Sequence, residues 1–173
     1  MAINGLENSK GAILWMDNSN DYFLDGGNTL RHNLVINGPE KYHEIGPLLT
    51  DAIKLFEPAA ITSINGVSIS GGNDPSNIDQ QESECPNCII DFYLDDNDAN
   101  EEALLHLGST AADGNGNFNY TLSSPLDDGF GIRTTSTTVA DNTIPHTWSG
   151  QTSEMSNEVY GVISDVIFKN GFN

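Results

Sequence analysis

The chain has 173 residues, 37% of them hydrophobic and 18% charged, enough for one domain with a sizeable core and a smaller companion piece. Six Lys and Arg stand against 25 Asp and Glu, a formal net charge of -19. No basic surface is therefore available to displace counterions from DNA or RNA, and anionic membranes are disfavoured for the same reason. No apolar run approaches the ~20 residues that span a bilayer, and the first residues lack the basic-then-apolar order of a signal peptide. Neither nucleic-acid binding nor membrane insertion is expected. The charge is uneven: residues 1–80 hold 4 basic and 10 acidic side chains, residues 81–173 hold 2 and 15. Such an excess pushes a folded chain apart unless salt screens it or bound cations neutralise it.

Gly, Asn, Asp, Ser and Thr are abundant, and apolar residues recur in short alternating runs, so the spacing predicts an all-β protein. The best helical candidates, Gly46 to Phe56 and Asn100 to Leu107, would each make about two turns. Residues 1–54 hold three strand-like pieces, Ala12 to Met16, Asp21 to Leu24 and Thr29 to Ile36. Asn18-Ser19-Asn20, Gly26-Gly27-Asn28 and Asn37-Gly38-Pro39 break them. That rhythm suits the terminal coils of a parallel β-helix, or a β-rich extension packed as a meander. Two coils or fewer bury too little to stand alone, so the solenoid reading makes this segment the end of something longer.

Residues 55–164 read as a separate unit. Ile61 to Ile64 and Val67 to Ser70 flank Asn65-Gly66, the signal of a hairpin with a type I′ turn. In Cys88 to Leu94 the even positions share one face and Ile89, Asp91 and Tyr93 the other, with one face expected in the core. Leu104 to Ala111, Asn117 to Leu122, Gly131 to Val139 and Ser153 to Ser164 supply further strands. Asp113-Gly114-Asn115-Gly116 and Asp127-Asp128-Gly129 read as hairpin turns, with an abbreviated calcium loop as the weaker alternative for each. Six or seven short strands at these intervals predict an antiparallel β-sandwich of immunoglobulin-like size.

The two cysteines form Cys85-Pro-Asn-Cys88. A redox pair should open a helix after a strand, whereas Cys88 leads into a strand-like run, and a zinc site needs further ligands that His32, His43, His106 and His146 do not supply at paired spacing. Context favours a local structural disulfide between Cys85 and Cys88 over free thiols, redox or zinc chemistry. A disulfide implies export.

Several segments together resemble a known module: Cys85-Pro-Asn-Cys88-Ile-Ile-Asp-Phe-Tyr-Leu-Asp-Asp96, Leu107-Gly-Ser-Thr-Ala-Ala-Asp-Gly-Asn-Gly-Asn-Phe118, Ile132-Arg-Thr-Thr-Ser-Thr-Thr-Val139 and Thr152-Ser-Glu-Met-Ser156. The order over residues 55 to 163 is similar to the immunoglobulin-like β-sandwich that follows a right-handed parallel β-helix in large secreted bacterial proteins. Ala140 to Trp148 looks like a local insertion. Residues 165–173, with Ile167-Phe168 and Gly171-Phe172, resemble the short tail that ends many exported gammaproteobacterial proteins. The resemblance implies a native C-terminus, a truncated or isolated N-terminus and an extracellular or cell-surface location, and it assigns no reaction.

The densest acidic run is Asp95-Asp96-Asn97-Asp98-Ala99-Asn100-Glu101-Glu102. Alternating Asp96, Asp98, Asn100 and Glu102, with Asp95, would give Ca²⁺ its oxygen ligands if the loop curled around an ion; a solvated acidic loop is the competing reading. Trp148, in the polar stretch Pro145 to Gly150, is the candidate sugar-stacking ring, against the plainer role of covering the sandwich end. His32, beside Arg31, reads as an exposed coil position. Arg31, Lys41, Arg133 and Lys169 are scattered over different elements, so no acid–base constellation assembles from spacing, and nucleophile-elbow, phosphate-loop and zincin motifs are absent. The expectation is a non-catalytic structural or adhesive module that caps a β-helix, with carboxylates outside as surface and self-association into homo-oligomers or polymers through strand edges. A carbohydrate-binding module, or part of a β-helix enzyme acting on polysaccharide, is the alternative.

Overall fold

The computed structural model describes residues 14–16, 29–35, 43–45, 58–72, 86–139, 150 and 152–161. Among these residues the chain is all-β and contains no helix. Strands β1 (Leu14–Met16) and β2 (His43–Ile45) pair in parallel, with Leu14 opposite His43 and Met16 opposite Ile45. The other strands are β3 (Ala60–Asn65), β4 (Ser68–Gly72), β5 (Ile89–Asp96), β6 (Leu105–Ala111), β7 (Phe118–Thr121), β8 (Phe130–Thr137) and β9 (Val159–Tyr160). They make two antiparallel sheets, ordered β3-β4-β7 and β6-β5-β8-β9. The chain changes sheet after β4, β6 and β7, the crossing pattern of an immunoglobulin-like sandwich.

Period-two burial explains the inner layer. Ile61, Ile64, Ile69, Phe118 and Leu122 from one sheet pack with Cys88, Ile90, Phe92 and Ile132 from the other. Phe92 sits at the centre, edge-on to Phe118 with ring centroids 5.5 Å apart and stacked on Tyr120 at 4.4 Å. Such ring pairs add about 0.5–1.5 kcal/mol to the burial itself. Cys88 is fully buried and disulfide-bonded. The only other cysteine, Cys85, lies outside the described residues.

Two turns differ from their sequence readings. Asn65 pairs with Ser68, so the β3–β4 loop is Gly66-Val67, and only Gly66 has positive φ, at 60°. A single left-handed residue in the first loop position defines a type II′ turn. Asp113 to Gly116 does not close a hairpin within one sheet; it carries the chain from β6 in one sheet to β7 in the other. The Asp113 carboxylate accepts the amides of Asn115 (2.8 Å) and Asn117 (2.9 Å), an Asx-type corner.

Three expected elements are also revised. Asn100 to Leu107 is no helix: Ala103 exchanges backbone hydrogen bonds with Val35, and from Leu105 the chain pairs with β5. Pairing along the open edge of β5 outweighs the modest propensity of two uncapped helical turns. Residues 29–35 are not a strand, since Val35 alone makes a ladder contact. Among the described residues the last strand is Val159–Tyr160, with residues 153–158 outside it. Gly46 to Phe56, Asp21 to Leu24, the Ala140 to Trp148 insertion and residues 165–173 lie outside the described residues.

Residues 152–158 run beside β8 by another device. The Ser153 and Ser156 amides donate to the carbonyls of Ser136 and Thr134. In return the Ser136 and Thr134 amides donate to Ser153 Oγ and Ser156 Oγ, each at 2.9 Å. The serine hydroxyls therefore stand in for the carbonyls that a regular strand would present. Both β8 residues are fully buried, so an orphaned amide there costs about 1–3 kcal/mol. Ser153→Ala and Ser156→Ala should each destabilise the fold by roughly that amount in urea unfolding with an unchanged m value. Losses below about 0.5 kcal/mol would refute the surrogate-carbonyl role.

Candidate functional site

The odd-numbered residues of β5 point away from the sandwich core, yet Asp91, Tyr93 and Asp95 are all fully buried. A second layer covers this face. Leu30 and Val35 from residues 29–35 and Met155 from the serine-anchored segment pack with Tyr93 and Ala103. Residues 29–35 are held there by Leu30 N–H donating to Thr152 Oγ1 (2.9 Å), Thr29 Oγ1 donating to the Gly150 carbonyl (2.6 Å) and the reciprocal Val35–Ala103 pair. The expectation that carboxylates lie outside as surface is thus corrected for Asp91, Asp95 and Glu102, which are 0%, 0% and 2% exposed. A second protein layer has replaced solvent on that face.

The first polar cluster centres on Asp91. Strand register sets Ser109 of β6 directly opposite it. Arg31 grips both carboxylate oxygens, Nε to Oδ2 at 2.6 Å and Nη2 to Oδ1 at 2.9 Å. Ser109 Oγ donates to Oδ1 at 2.5 Å, and His106 Nε2 lies 3.1 Å from the same oxygen. His32, at the left-handed φ of 58°, lays its ring against His106 with centroids 4.1 Å apart, and its amide donates to the Tyr93 hydroxyl at 3.0 Å. Left to burial, Asp91 would titrate high; hydrogen bonds from Arg31, Ser109 and His106 and the Arg31 charge hold it below the ordinary carboxylate range. Burial pushes the His106 imidazolium down.

Ser109, His106 and Asp91 do not form a catalytic triad. Nε2 of His106 faces both the carboxylate and, at 3.4 Å, the hydroxyl, whereas a triad uses one ring nitrogen for each. Ser109 also gives its proton to Asp91, so its oxygen is not activated. His32, Asp91 and His106 have metal-ligand spacing, but the Arg31 guanidinium already occupies Asp91 and stands 3.3 Å from His32 Nε2. A divalent ion there would face that fixed positive charge.

The second cluster gathers Asp95, Asp96 and Glu102, whose carboxylate oxygens lie within 4.8 Å of one another. Arg133 donates from Nε to Asp95 Oδ2 and from Nη1 to the Ser156 carbonyl at 3.0 Å. Burial pushes Asp95 up in spite of Arg133. Of the expected calcium ligands, Asp95, Asp96 and Glu102 converge. Asp98 and Asn100 satisfy each other instead: Asp98 Oδ1 accepts the Asn100 amide at 2.7 Å and Oδ2 its side-chain NH₂ at 2.8 Å. Glu158, from beyond the acidic loop, stays outside that group and approaches Arg133 instead: its Oε2 accepts from Tyr160 Oη at 2.7 Å and lies 3.9 Å from Arg133 Nη2. That hydrogen bond to Glu158 pushes the Tyr160 phenol up to about 12. Trp148 lies outside the described residues.

Sequence reasoning missed Arg31, Asp91, Tyr93, His106, Ser109, Arg133 and Glu158. One signal was available: Ile89 and Tyr93 beside Asp91 make β5 apolar on both faces, the pattern of a strand covered on both sides. With this geometry in hand, comparison finds no matching family model, curated protein or solved structure. Among the described residues, fold and site therefore define an all-β protein whose antiparallel sandwich carries an inner apolar core and an outer, ion-paired layer.

The pH dependence of the Asp91 cluster follows from the two shifts on Asp91 and His106. His106 binds a proton less readily folded than at its ordinary 6.5, so its stabilising contribution is present above that pH and is lost as pH falls below it. Asp91, lowered from 3.8, contributes above 3.8 and loses that contribution only as pH falls through its depressed folded value. The His106 contribution to the unfolding free energy should fall away as pH drops below about 6.5, and His106→Gln should flatten the slope there. An unchanged slope in the variant would remove His106 from the account.

Proposed function

We propose that the protein is a non-catalytic structural module of an exported bacterial protein, a β-sandwich seated on the last coils of a parallel β-helix. The observation carrying this reading is the position of Arg31. It lies between the parallel strands β1 and β2 in the sequence, and its guanidinium is planted on Asp91 of the sandwich. Residues 29–35, which lie between those strands in sequence, are thus bonded to the outer sheet face, where Leu30 and Val35 cover Tyr93. The polar clusters support the same function. Arg31 and Arg133 are committed to buried carboxylates, and no described serine or histidine has the arrangement of an activated nucleophile. In the parent protein the sandwich would shield the final coil edge and present its own outer strands, with half-exposed Leu105 on β6, to a second copy or a cell surface.

Removing the clamp tests the junction. Arg31→Met leaves Asp91 buried without its counter-charge, a loss of about 3 kcal/mol. For a chain of this length that lowers Tm by roughly 6–12 °C. Limited proteolysis should then cut within residues 1–54 before the sandwich is attacked. Wild-type Tm and cleavage order in the variant would remove the junction. Unsaturated or reducing-end products from acidic polysaccharides incubated with the wild-type chain would overturn the non-catalytic assignment.

A further inference from the structure

We propose that Asn65-Gly66, at the tip of the β3–β4 hairpin, is a site of spontaneous covalent modification, where Asn65 converts to aspartate and isoaspartate, while the identical step Asn115-Gly116 is held inert by the fold. The junction reading stands without it. Asn-Gly steps occur at Asn4, Asn37, Asn65, Asn115 and Asn170, and those at Asn65 and Asn115 fall among the described residues. By sequence these two are equivalent. Neither glycine has a Cβ to obstruct attack on the preceding side chain, so a difference between them is a property of the structure.

The chemistry needs a free amide, a reachable carboxamide and a backbone that can turn. The Gly66 nitrogen attacks Asn65 Cγ; the new N–C bond closes an imide ring, the Cγ–Nδ2 bond breaks, and Nδ2 leaves as ammonia with the proton that Gly66 gives up. Water then opens the ring at either carbonyl. The released carboxylate belongs to the side chain in aspartate, and to the former main chain in isoaspartate.

At the hairpin tip all three conditions are met. Asn65 and Gly66 are exposed, and among the described residues neither the Gly66 N–H nor the Asn65 carboxamide has a hydrogen-bond partner. The space where a Cβ on Gly66 would stand is open, with no atom within 4 Å, so the ring has room. Closure swings Asn65 out of its pairing with Ser68, the last pair of the ladder. Local opening costs least at such an end.

Asn115-Gly116 fails the same conditions. Gly116 is buried, and its N–H donates to the Asp113 carbonyl at 3.0 Å. The Asp113 carboxylate accepts the amides of Asn117 and Asn115, at 2.9 and 2.8 Å, from either side of Gly116. Those bonds hold Asp113 below the ordinary carboxylate range, and its charge opposes the amide anion that Gly116 would have to form. The modification at the other site has a structural consequence. The Val67 carbonyl, next after Gly66, accepts the Leu122 amide at 2.8 Å, so an isoaspartyl link with its extra main-chain carbon disturbs the bond between the hairpin and the chain leaving β7.

The test is peptide mapping by mass spectrometry of the full native chain after ageing in mildly alkaline buffer, with isoaspartate identified by methyl transfer from a protein isoaspartyl methyltransferase. Conversion at Asn65 should outpace conversion at Asn115 at least about tenfold, which corresponds to about 1.4 kcal/mol more for opening the Asp113 corner than the hairpin tip. In urea strong enough to unfold the chain the two rates should converge, because the dipeptide is the same. Both arms use the wild-type chain, so no variant has to fold. Equal rates in the native chain, faster loss at Asn115, or an Asn65 that converts in urea and persists in the native chain would each overturn the proposal.

Discussion

The burial of Asp91 is the constraint on which the outer half of the molecule depends. A carboxylate with no exposed surface, in the middle of a central strand, needs a counter-charge and donors or it does not stay ionised there. Arg31 supplies the charge with a two-point grip, and Ser109 and His106 add donors from the neighbouring strand. Because Arg31 comes from a segment remote in sequence, satisfying Asp91 draws residues 29–35 across the sheet. Leu30 and Val35 then meet Tyr93 and Met155 in a second apolar cluster. Ion pair and hydrophobic contact are thus coupled: the charge fixes where the segment lies, and the buried side chains make that placement favourable.

Asp91 and Asp95 provide an internal comparison. They share a strand, a face and complete burial, and each faces one arginine. Their titration shifts in opposite directions. Asp91 receives Arg31 at both oxygens and a hydroxyl proton besides, while Asp95 meets Arg133 through one nitrogen and otherwise accepts backbone amides from Asp96 and Glu102. The number of donors, more than the presence of a partner charge, decides whether burial is overcome. A site with too few donors for its carboxylates is chemically unlike one in which every oxygen is matched, even when the two are four residues apart.

Much of the sandwich was legible from alternation. Phe118, Tyr120 and Leu122, or Ile90 and Phe92, announce an inward face, and the structure packs them together. The outer layer was not legible, because a period of two says which residues share a face but not whether water or protein lies against it. Asp91 was placed off the core face for that reason, and Asp95 was read as part of a calcium-binding or solvated loop. The five-ligand acidic loop was half legible: nearness in sequence picked out Asp95, Asp96 and Glu102, but the mutual capping of Asp98 and Asn100 is a local preference that spacing does not reveal. The approach of Glu158 to Arg133 was invisible, since only the run of residues 152–158 beside β8 brings the two near. The Thr152–Ser156 stretch carried a real signal, two serines three apart, whose meaning as backbone surrogates appears only with the β8 amides beside them.

The two arginines are the only Lys or Arg among the described residues, and both are turned inward, with side chains 24% and 11% exposed. The exterior of this region is left with acids and neutral groups alone. Two such bodies meet like similarly charged colloids: in dilute buffer their double layers overlap and hold them apart. In a saline medium the layer shrinks to about 8–10 Å and allows close approach. An anionic shell around an interior that keeps its own counter-charges is also insensitive to that salt where it matters for shape, because ions that screen the outside do not reach the inner pairs.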